Sequence, residues 1–228
     1  MNIREIIAEA KKQNRSLLEP EAYELLGAFG VPVLDYRLAR SAGEASTMAG
    51  EVGFPVAMKV VSPDVIHKSD SGGVKLGVDS AAAAAEAFAA IMRDVAKAVE
   101  GARIEGVLIV PMVKGGVEVI MGMVRDPQFG PAVMFGLGGI FVEVLKDVVF
   151  EIAPVAKADA EKMIKSIKGY PLLAGARGSA PCRLESLVDI ITGVSRLALE
   201  LPEVKEIDLN PVLAAPDRSL VLDARILL

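Results

Sequence analysis

The part of the sequence that most constrains the fold is the stretch from residue 106 to residue 151. It holds apolar, strand-like segments separated by a Lys-Gly-Gly turn, an Asp-Pro turn and a glycine-rich turn. Short strands joined by such turns favour antiparallel pairing, because parallel strands need long crossover connections. The sequence therefore predicts an antiparallel sheet made from four segments: 106–112, 117–124, 131–135 and 147–152.

The rest of the chain alternates between helical and strand-like periodicity. Helices are predicted over 2–13, 20–29, 41–52, 80–100, 157–168 and 183–201, and further strands over 33–39, 55–61, 74–78, 204–209, 211–215 and 219–227. This pattern predicts an α/β (α+β) fold with mixed and antiparallel sheets, flanking helices and two interlocked lobes. The predicted lobes are 1–104, with a mixed βαβα pattern, and 105–228, around the antiparallel sheet.

The composition excludes several classes of protein. The net charge of −5 argues against a nucleic-acid partner, which normally selects a basic surface. The longest uncharged stretch, Pro127–Val142, contains four glycines and two prolines and is too short and too broken to span a bilayer. The first five residues open a charged amphipathic helix and do not resemble a signal peptide. We therefore expect a cytoplasmic protein with no membrane partner.

Lys59 is a charged residue within the apolar strand-like run from 54 to 61. Burial of a lysine costs free energy unless its ammonium group finds an anion. One interpretation is therefore a phosphate contact, because an ammonium group serves as a point charge for phosphate. The alternative, an ordinary lysine that faces outward from a half-exposed strand, has about equal weight from spacing alone.

His67 is the only histidine of the chain, so any imidazole chemistry must take place at this position. It lies in a polar loop over 62–73 that ends in two glycines, Gly72 and Gly73. Asp64 and Asp70 are candidates to orient the ring, and the neighbouring Lys68 is a candidate to neutralise an anion. Catalytic residues are frequent in such loops, although a lone histidine is more often structural.

The glycine-rich segment 134–143 contains Gly136, Gly138 and Gly139. It lacks the Gly-Lys-Ser/Thr end of a phosphate-binding P-loop and the strand–turn–helix context of a dinucleotide fingerprint. A tight turn or bulge between strands is one interpretation. Backbone amides that donate hydrogen bonds to an anion are the other.

Acidic and amide side chains recur near the C-terminus. Asp208 and Asn210 lie two residues apart in a strand-like run and therefore share one face of the strand. A hairpin connection would bring Asp223 beside them. A few oxygen ligands of this kind suit Mg²⁺ bridged to nucleotide phosphates. The alternative is that Asp and Asn simply form a turn near Pro211.

Together these segments resemble the ATP-grasp fold, and within it the nucleotide-binding β subunit of ADP-forming acyl-CoA synthetases, relatives of succinyl-CoA synthetase. The resemblance covers nearly the whole chain, and its most specific part is His67-Lys68-Ser69-Asp70-Ser71-Gly72-Gly73-Val74. This stretch looks like the family's segment that bears a phosphorylatable histidine. Lys59, in Gly53-Phe54-Pro55-Val56-Ala57-Met58-Lys59, matches the family's phosphate-contacting lysine.

The resemblance also implies roles for other residues. The nucleotide would be bound by Lys59, Val110, Met112, Val113, Glu118, Gly138 and Gly139, and Mg²⁺ by Asn210 and Asp223. Asp208 and His67 are the implied catalytic residues. The implied reaction forms ATP, an organic acid and CoA from acyl-CoA, ADP and phosphate, with His67 as phosphoryl carrier. The implied partner is a CoA-binding α subunit in an α₂β₂ heterotetramer.

Two other functions fit the residues. One is a stand-alone ATP-grasp carboxylate–amine ligase, which needs no catalytic histidine but needs substrate-binding arginines, for which Arg177 is the lone candidate. The other is a non-catalytic nucleotide-binding module. The choice between adenine and guanine nucleotides, the organic acid and the role of Cys182 stay open at this point.

Overall fold

The structure is a computed structural model that describes residues 2–65, 67–139 and 147–228. The chain divides into two compact units. We call Leu34–Lys114 the central unit, and Met1–Val33 together with Gly115–Leu228 the terminal unit. No helix in the described parts of the chain is long and apolar enough to cross a bilayer.

The elements are numbered in chain order. The helices are α1 (Ile3–Lys12), α2 (Glu19–Ala28), α3 (Ala42–Val52), α4 (Ala81–Ala98), α5 (Lys157–Ser166), α6 (Tyr170–Leu173) and α7 (Leu184–Glu200), with a 3₁₀ turn at Ala176–Gly178. The strands are β1 (Arg37–Ala39), β2 (Val56–Val61), β3 (Val74–Val78), β4 (Gly106–Pro111), β5 (Val117–Asp126), β6 (Gly130–Leu137), β7 (Val148–Ile152), β8 (Glu206–Ala214), β9 (Ser219–Val221) and β10 (Ala224–Leu227).

The central unit is a four-stranded sheet, within its described residues, covered on one face by α3 and α4. The strand order is β1-β4-β2-β3, and every neighbouring pair is antiparallel. Ser41 and Ser80 cap the two helices by accepting hydrogen bonds from backbone amides of their first turns. The core between helices and sheet contains Met58, Val60 and Ile91, all fully buried.

The predicted mixed βαβα pattern of this unit is only partly right. The helical crossovers do join strands that run in the same direction, β1 to β2 and β3 to β4. An antiparallel strand lies between the members of each pair, however, because β4 inserts between β1 and β2 and β2 inserts between β3 and β4. Periodicity predicts the crossovers but not these insertions.

The terminal unit contains a sheet with the order β10-β8-β5-β6-β7, and β9 pairs with the other end of β8. All of these pairs are antiparallel. The predicted antiparallel sheet is therefore confirmed for three of its four segments, whereas the segment 106–112 forms β4 of the central sheet. One face packs against α5 and α7. Val119, Met121 and Met123 alternate along β5 and are at most 1% exposed, and Leu187 and Val194 of α7, which packs against β5 and β6, are fully buried as well.

The unit boundaries differ from the predicted lobes 1–104 and 105–228. The strand β4 belongs to the central unit because it pairs with both β1 and β2. The first 33 residues belong with the C-terminal part of the chain. Their attachment includes the Leu17 amide, which donates to Ile226 O at 3.1 Å, and the Val221 amide, which donates to Pro32 O at 3.0 Å.

Four predicted strands differ most from the observed ones. Only 37–39 of the predicted strand 33–39 is a strand, and Val33 forms an isolated parallel bridge with Val221. The predicted strands 204–209 and 211–215 are one strand, β8. In β8, Asn210 and Pro211 together face the single residue Ile120, so a β-bulge accommodates the proline that suggested a break. The predicted strand 219–227 is interrupted at 222–223.

Candidate functional site

The face of the terminal sheet opposite α5 and α7 carries the predicted acidic residues. Asp208 and Asn210 alternate on β8 with the buried Leu209, so both side chains lie on this face. Asp208 lies opposite Gly122 of β5 on one side and opposite Arg225 of β10 on the other. A glycine at 122 is required there, because a Cβ atom would lie 2.7 Å from the Ile207 carbonyl oxygen.

Asp223 lies between β9 and β10, at the position that faces Asn210. The Asn210 amide donates to Asp223 O at 3.3 Å. The structure therefore brings together the three residues that the sequence associates with a metal: Asp208, Asn210 and Asp223. The predicted hairpin connection is the reason that they meet.

The charge distribution on this face favours a cation. Burial raises the pKa of the Asp208 carboxyl, and the negative charges of Glu206 and Asp223 raise it further, whereas Arg225 lowers it. A carboxylate in this environment carries negative charge that water compensates incompletely. A bound cation would compensate this negative charge and so lower the free energy of the ionised carboxylate.

The available ligands fit Mg²⁺ held jointly with a phosphate. Within the described residues no group of three or more His, Cys, Asp or Glu side chains is placed to hold a metal by itself. Asn210 and Asp223 offer an amide oxygen and a carboxylate, with a second carboxylate at Asp208. Mg²⁺ commonly takes one or two carboxylates from the protein and completes its octahedron with water and substrate phosphates.

Glu118 and the glycines Gly138 and Gly139 lie together at the other end of this face. The Gly138 amide donates to Glu118 O at 2.8 Å, and a Cβ atom at Gly138 would lie 3.0 Å from the Glu118 backbone. Close approach of the two backbones therefore accounts for the glycine at 138. The remainder of the predicted glycine-rich segment, from 140, lies outside the described residues.

Lys59 is buried in the central unit. It lies on β2 between Val74 and Leu108 of the neighbouring strands, and it is 8% exposed. Its neighbours Met58 and Val60 occupy the face toward α3 and α4, so Lys59 points to the opposite face. The interpretation as a half-exposed surface lysine is therefore wrong.

The predicted adenine segment follows β4. Val110 is 1% exposed and pairs with Ala57 on β2. The Met112 amide donates to Pro55 O at 3.1 Å, and the Met112 sulfur accepts from the Gly77 amide at 2.9 Å. Val113 is half-buried beyond the end of the strand. Because the Met112 amide is already bonded, a base bound here must use other groups of this segment.

His67 lies exposed in a turn between β2 and β3. The turn is closed by Ser71, which is 8% exposed. The Ser71 hydroxyl is 3.2 Å from His67 O and 3.0 Å from Lys68 O, and its amide donates to His67 O at 3.3 Å. Ile66, directly before the histidine, lies outside the described residues.

Asp64, at the start of this loop, binds Arg103 and not the histidine ring. Its carboxylate accepts from Arg103 Nη2 at 2.6 Å, from Nε at 2.9 Å and from the Arg103 amide at 2.8 Å. These hydrogen bonds lower the pKa of Asp64 to about 2. The prediction that Asp64 orients the ring is therefore wrong, because Arg103 occupies both carboxylate oxygens. Asp70 is exposed.

The glycines at the other end of the loop are packed closely. A Cβ atom at Gly73 would lie 2.5 Å from Val60 Cγ1 and 2.9 Å from Lys68 O. Gly72 has a φ of +72°, and a Cβ atom there would lie 2.8 Å from Asp94 Cβ. Close packing thus requires both glycines, and the predicted swing of the loop about them stays a prediction.

Sequence reasoning missed two arginines beside the predicted residues. Arg103 is 39 positions away from Asp64, and no local pattern links them. Arg225 follows Asp223 by two residues, and the hairpin register would have placed it opposite Asp208. Arg177 lies in the 3₁₀ turn, and its side chain is outside the described residues. Cys182 is buried, and burial raises the pKa of its thiol, which disfavours a reactive thiolate.

Comparison with known proteins identifies relatives that match nearly the whole of this chain. Residues 8–228 match the family of the ATP-grasp domain. The chain is 56% identical over 225 residues to the β subunit of ADP-forming acetate–CoA ligase I of Pyrococcus furiosus, covering 99% of this chain and 97% of that protein. It is 46% identical to ADP-forming acetate–CoA ligase I of Archaeoglobus fulgidus, of which it spans 33%.

The solved structures of a relative agree with these matches. The dinucleotide-forming acetyl-coenzyme A synthetase 1 of Candidatus Korarchaeum cryptofilum, in complex with coenzyme A, Ca-AMPCP and HgCl⁺, superposes with a TM-score of 0.96 at 46% identity, covering both chains completely. Another structure of that synthetase contains coenzyme A and Mg-AMPPCP, with its phosphohistidine segment pointing towards the nucleotide-binding site. It superposes with a TM-score of 0.88 at 43% identity and also covers both chains completely.

Proposed function

The chain belongs to the ATP-grasp family, and on that premise we propose that it is the nucleotide-binding β subunit of an ADP-forming acyl-CoA synthetase. The observation that carries the proposal is the position of His67. The only imidazole of the chain lies exposed on a turn, between an ion pair at one end and a closely packed glycine at the other. An exposed imidazole on such a turn is suited to accept a phosphoryl group and to present it to ADP.

The proposed reaction converts acyl-CoA, ADP and phosphate into the acid, CoA and ATP. In the step assigned to this chain, the N–P bond of phosphohistidine 67 breaks while a terminal oxygen of ADP forms a bond to the same phosphorus. The imidazole leaves neutral. Division of one difficult transfer into two such steps is ordinary covalent catalysis. In the reverse direction, ATP phosphorylates His67.

The other site residues position the nucleotide and neutralise its charge. Lys59 provides an ammonium group for a phosphate. The Gly139 amide provides a neutral donor, and Gly138, whose own amide donates to Glu118 O, lets the backbone approach closely there. Asn210 and Asp223 would hold Mg²⁺, which supplies charge neutralisation on the phosphate oxygens when bound. Asp208 adds negative charge beside that position. Glu118 is assigned to the ribose or to the catalytic centre, and the base to the segment with Val110, Met112 and Val113.

The acyl and CoA sites are expected on a partner. The Pyrococcus furiosus relative is named as a β subunit, which implies an α subunit in that enzyme, and the longer Archaeoglobus fulgidus ligase includes this region in one chain. We propose a CoA-binding α subunit for this chain and an α₂β₂ assembly in the cytoplasm. The names of the relatives favour neither a carboxylate–amine ligase nor a non-catalytic module.

The proposal is tested by incubation of the purified chain with ATP and Mg²⁺, followed by intact-protein and peptide mass spectrometry. We expect the gain of one phosphate on the peptide with His67, stable in base and labile in acid. Incubation with AMPPCP, whose terminal phosphate cannot be transferred, is the matched control. A chain that binds ATP and Mg²⁺ but never acquires the phosphate would contradict the proposed relay.

A further inference from the structure

Tyr23 connects an N-terminal helix to the turn that carries Asp223. It lies on α2, is 1% exposed, and its hydroxyl is 2.8 Å from Leu222 O. The same hydroxyl is 2.7 Å from Oε1 of Glu19, one helical turn earlier and 5% exposed. The single hydroxyl hydrogen is thus shared between a carbonyl and a carboxyl group. A phenylalanine would fill the same volume without the hydroxyl, so the substitution removes both of these contacts.

The carbonyl that Tyr23 contacts belongs to the peptide group that joins Leu222 to Asp223. A peptide group is planar, so a contact that restrains its oxygen also restrains the amide nitrogen and the Cα position of Asp223. The flanking groups are held as well. The Leu222 amide donates to Pro211 O at 3.0 Å, and Asp223 O accepts from the Asn210 amide at 3.3 Å.

We propose that Tyr23 is a positioning residue for the metal site, acting through the Leu222 carbonyl on Asp223. The inference rests on the proposed function, in which Asp223 and Asn210 hold Mg²⁺. The Tyr23 hydroxyl opposes rotation of the peptide group before Asp223, and the Asn210 amide restrains the one after it. The carboxylate is therefore presented beside Asn210 before the metal arrives. Groups that orient metal ligands in this way commonly contribute tenfold or more to metal affinity.

The test compares Tyr23→Phe with the wild-type chain by calorimetric titration of ADP at a series of Mg²⁺ concentrations and in EDTA. The Mg²⁺ concentration that gives half of the gain in ADP affinity should rise about tenfold in the variant. The affinity for ADP in EDTA should stay unchanged, which separates positioning of the metal ligand from a general loss of structure. Tyr36→Phe, a half-buried tyrosine of the central unit, is the matched control and should behave as wild type.

Two further measurements keep the inference distinguishable from the proposed function. Asp223→Ala should abolish the Mg²⁺-dependent gain, and if it does not, the metal assignment fails and the role of Tyr23 fails with it. If Asp223→Ala abolishes the gain while Tyr23→Phe leaves the Mg²⁺ dependence unchanged, only the inference about Tyr23 is overturned. Faster hydrogen exchange of the Leu222 and Asn210 amides in Tyr23→Phe would support it, and unchanged exchange would contradict it.

Discussion

The His67 turn and the acidic face of the terminal sheet present their functional groups in opposite ways. His67 has an exposed side chain on a turn whose backbone Ser71 closes through His67 O and Lys68 O, and the Asp64–Arg103 ion pair and the packed Gly73 hold the two ends. Asp208 lies on a strand in register with neighbours on both sides, Asn210 lies at the β-bulge of the same strand, and the Asn210 amide donates to Asp223 O. A histidine that carries a phosphoryl group needs an accessible side chain, whereas groups that hold a metal must be placed before the metal binds. Substitutions in the two regions should therefore have different effects.

The largest expected effect is at the exposed histidine. His67→Ala should abolish the phosphate label and reduce the acyl-CoA reaction with the partner subunit to background, because no other imidazole is present in the chain. The affinity for ADP should stay near that of the wild type, measured by calorimetry. Ser69→Ala, an exposed neighbour in the same turn, is the control and should retain the label. If His67→Ala forms ATP at the wild-type rate, His67 is not the phosphoryl carrier.

Substitutions on the acidic face of the terminal sheet should act by weakening the binding of Mg²⁺. Asn210→Ala and Asp223→Ala are each expected to lower the rate of phosphoryl transfer about a hundredfold, because the phosphate charges are then less well neutralised. Titration of Mg²⁺ in the assay should show that excess metal recovers part of the loss in Asn210→Ala, which keeps the carboxylate ligand, and none of it in Asp223→Ala. Asp217→Ala, an aspartate whose side chain is 76% exposed in the preceding turn, should have no effect. Equal losses of rate in Asn210→Ala, Asp223→Ala and Asp217→Ala would contradict the assignment of metal ligands, because a variant far from the metal would then have the same effect.

The packed end of the His67 turn should affect stability more than nucleotide binding. Gly73→Ala would place a methyl group against Val60 and Lys68 O, and overpacking of this kind costs about 1–3 kcal/mol. Thermal and urea unfolding should reveal the loss. Gly50→Ala is the matched control, since Gly50 lies in α3 with nothing within 4 Å of an added Cβ atom. If Gly73→Ala unfolds like the wild type, the turn is not held at this end.

The ion pair at the other end should give the smallest effect and a specific pH dependence. The pKa of Asp64 is about 2 in the folded chain, below the ordinary value of 3.8, so the folded state favours the ionised carboxylate. The resulting stability is complete above the ordinary pKa and is lost as the pH falls from about 5 toward 2. Arg103→Ala should remove this part of the acid sensitivity in thermal melts. Arg37→Ala, from an exposed pair with Glu51, should leave it unchanged.

Several features of the fold could be predicted from the sequence because their causes are local. The strand 74–78 has the predicted bounds, and α3 and α4 begin after serines that cap them. The common face of Asp208 and Asn210 follows from the alternation of side chains along any strand. For Lys59 the sequence left two interpretations, a phosphate contact and an outward-facing lysine on a half-exposed strand. Its 8% exposure in the structure excludes the second, and the phosphate contact stays a prediction.

The sequence by itself determined which segments form helices and strands and which residue types stand in the loops. Periodicity, caps and turn residues act over a few positions, so they can be recognised without a partner. Only the tertiary structure decided that β4 joins the central sheet, that the first 33 residues join the C-terminal half, and that Arg103 and Tyr23 contact Asp64 and Leu222. Those contacts join residues that are 39 and 199 positions apart, and their free energy depends on which surfaces pack together. No local pattern of side chains encodes that choice.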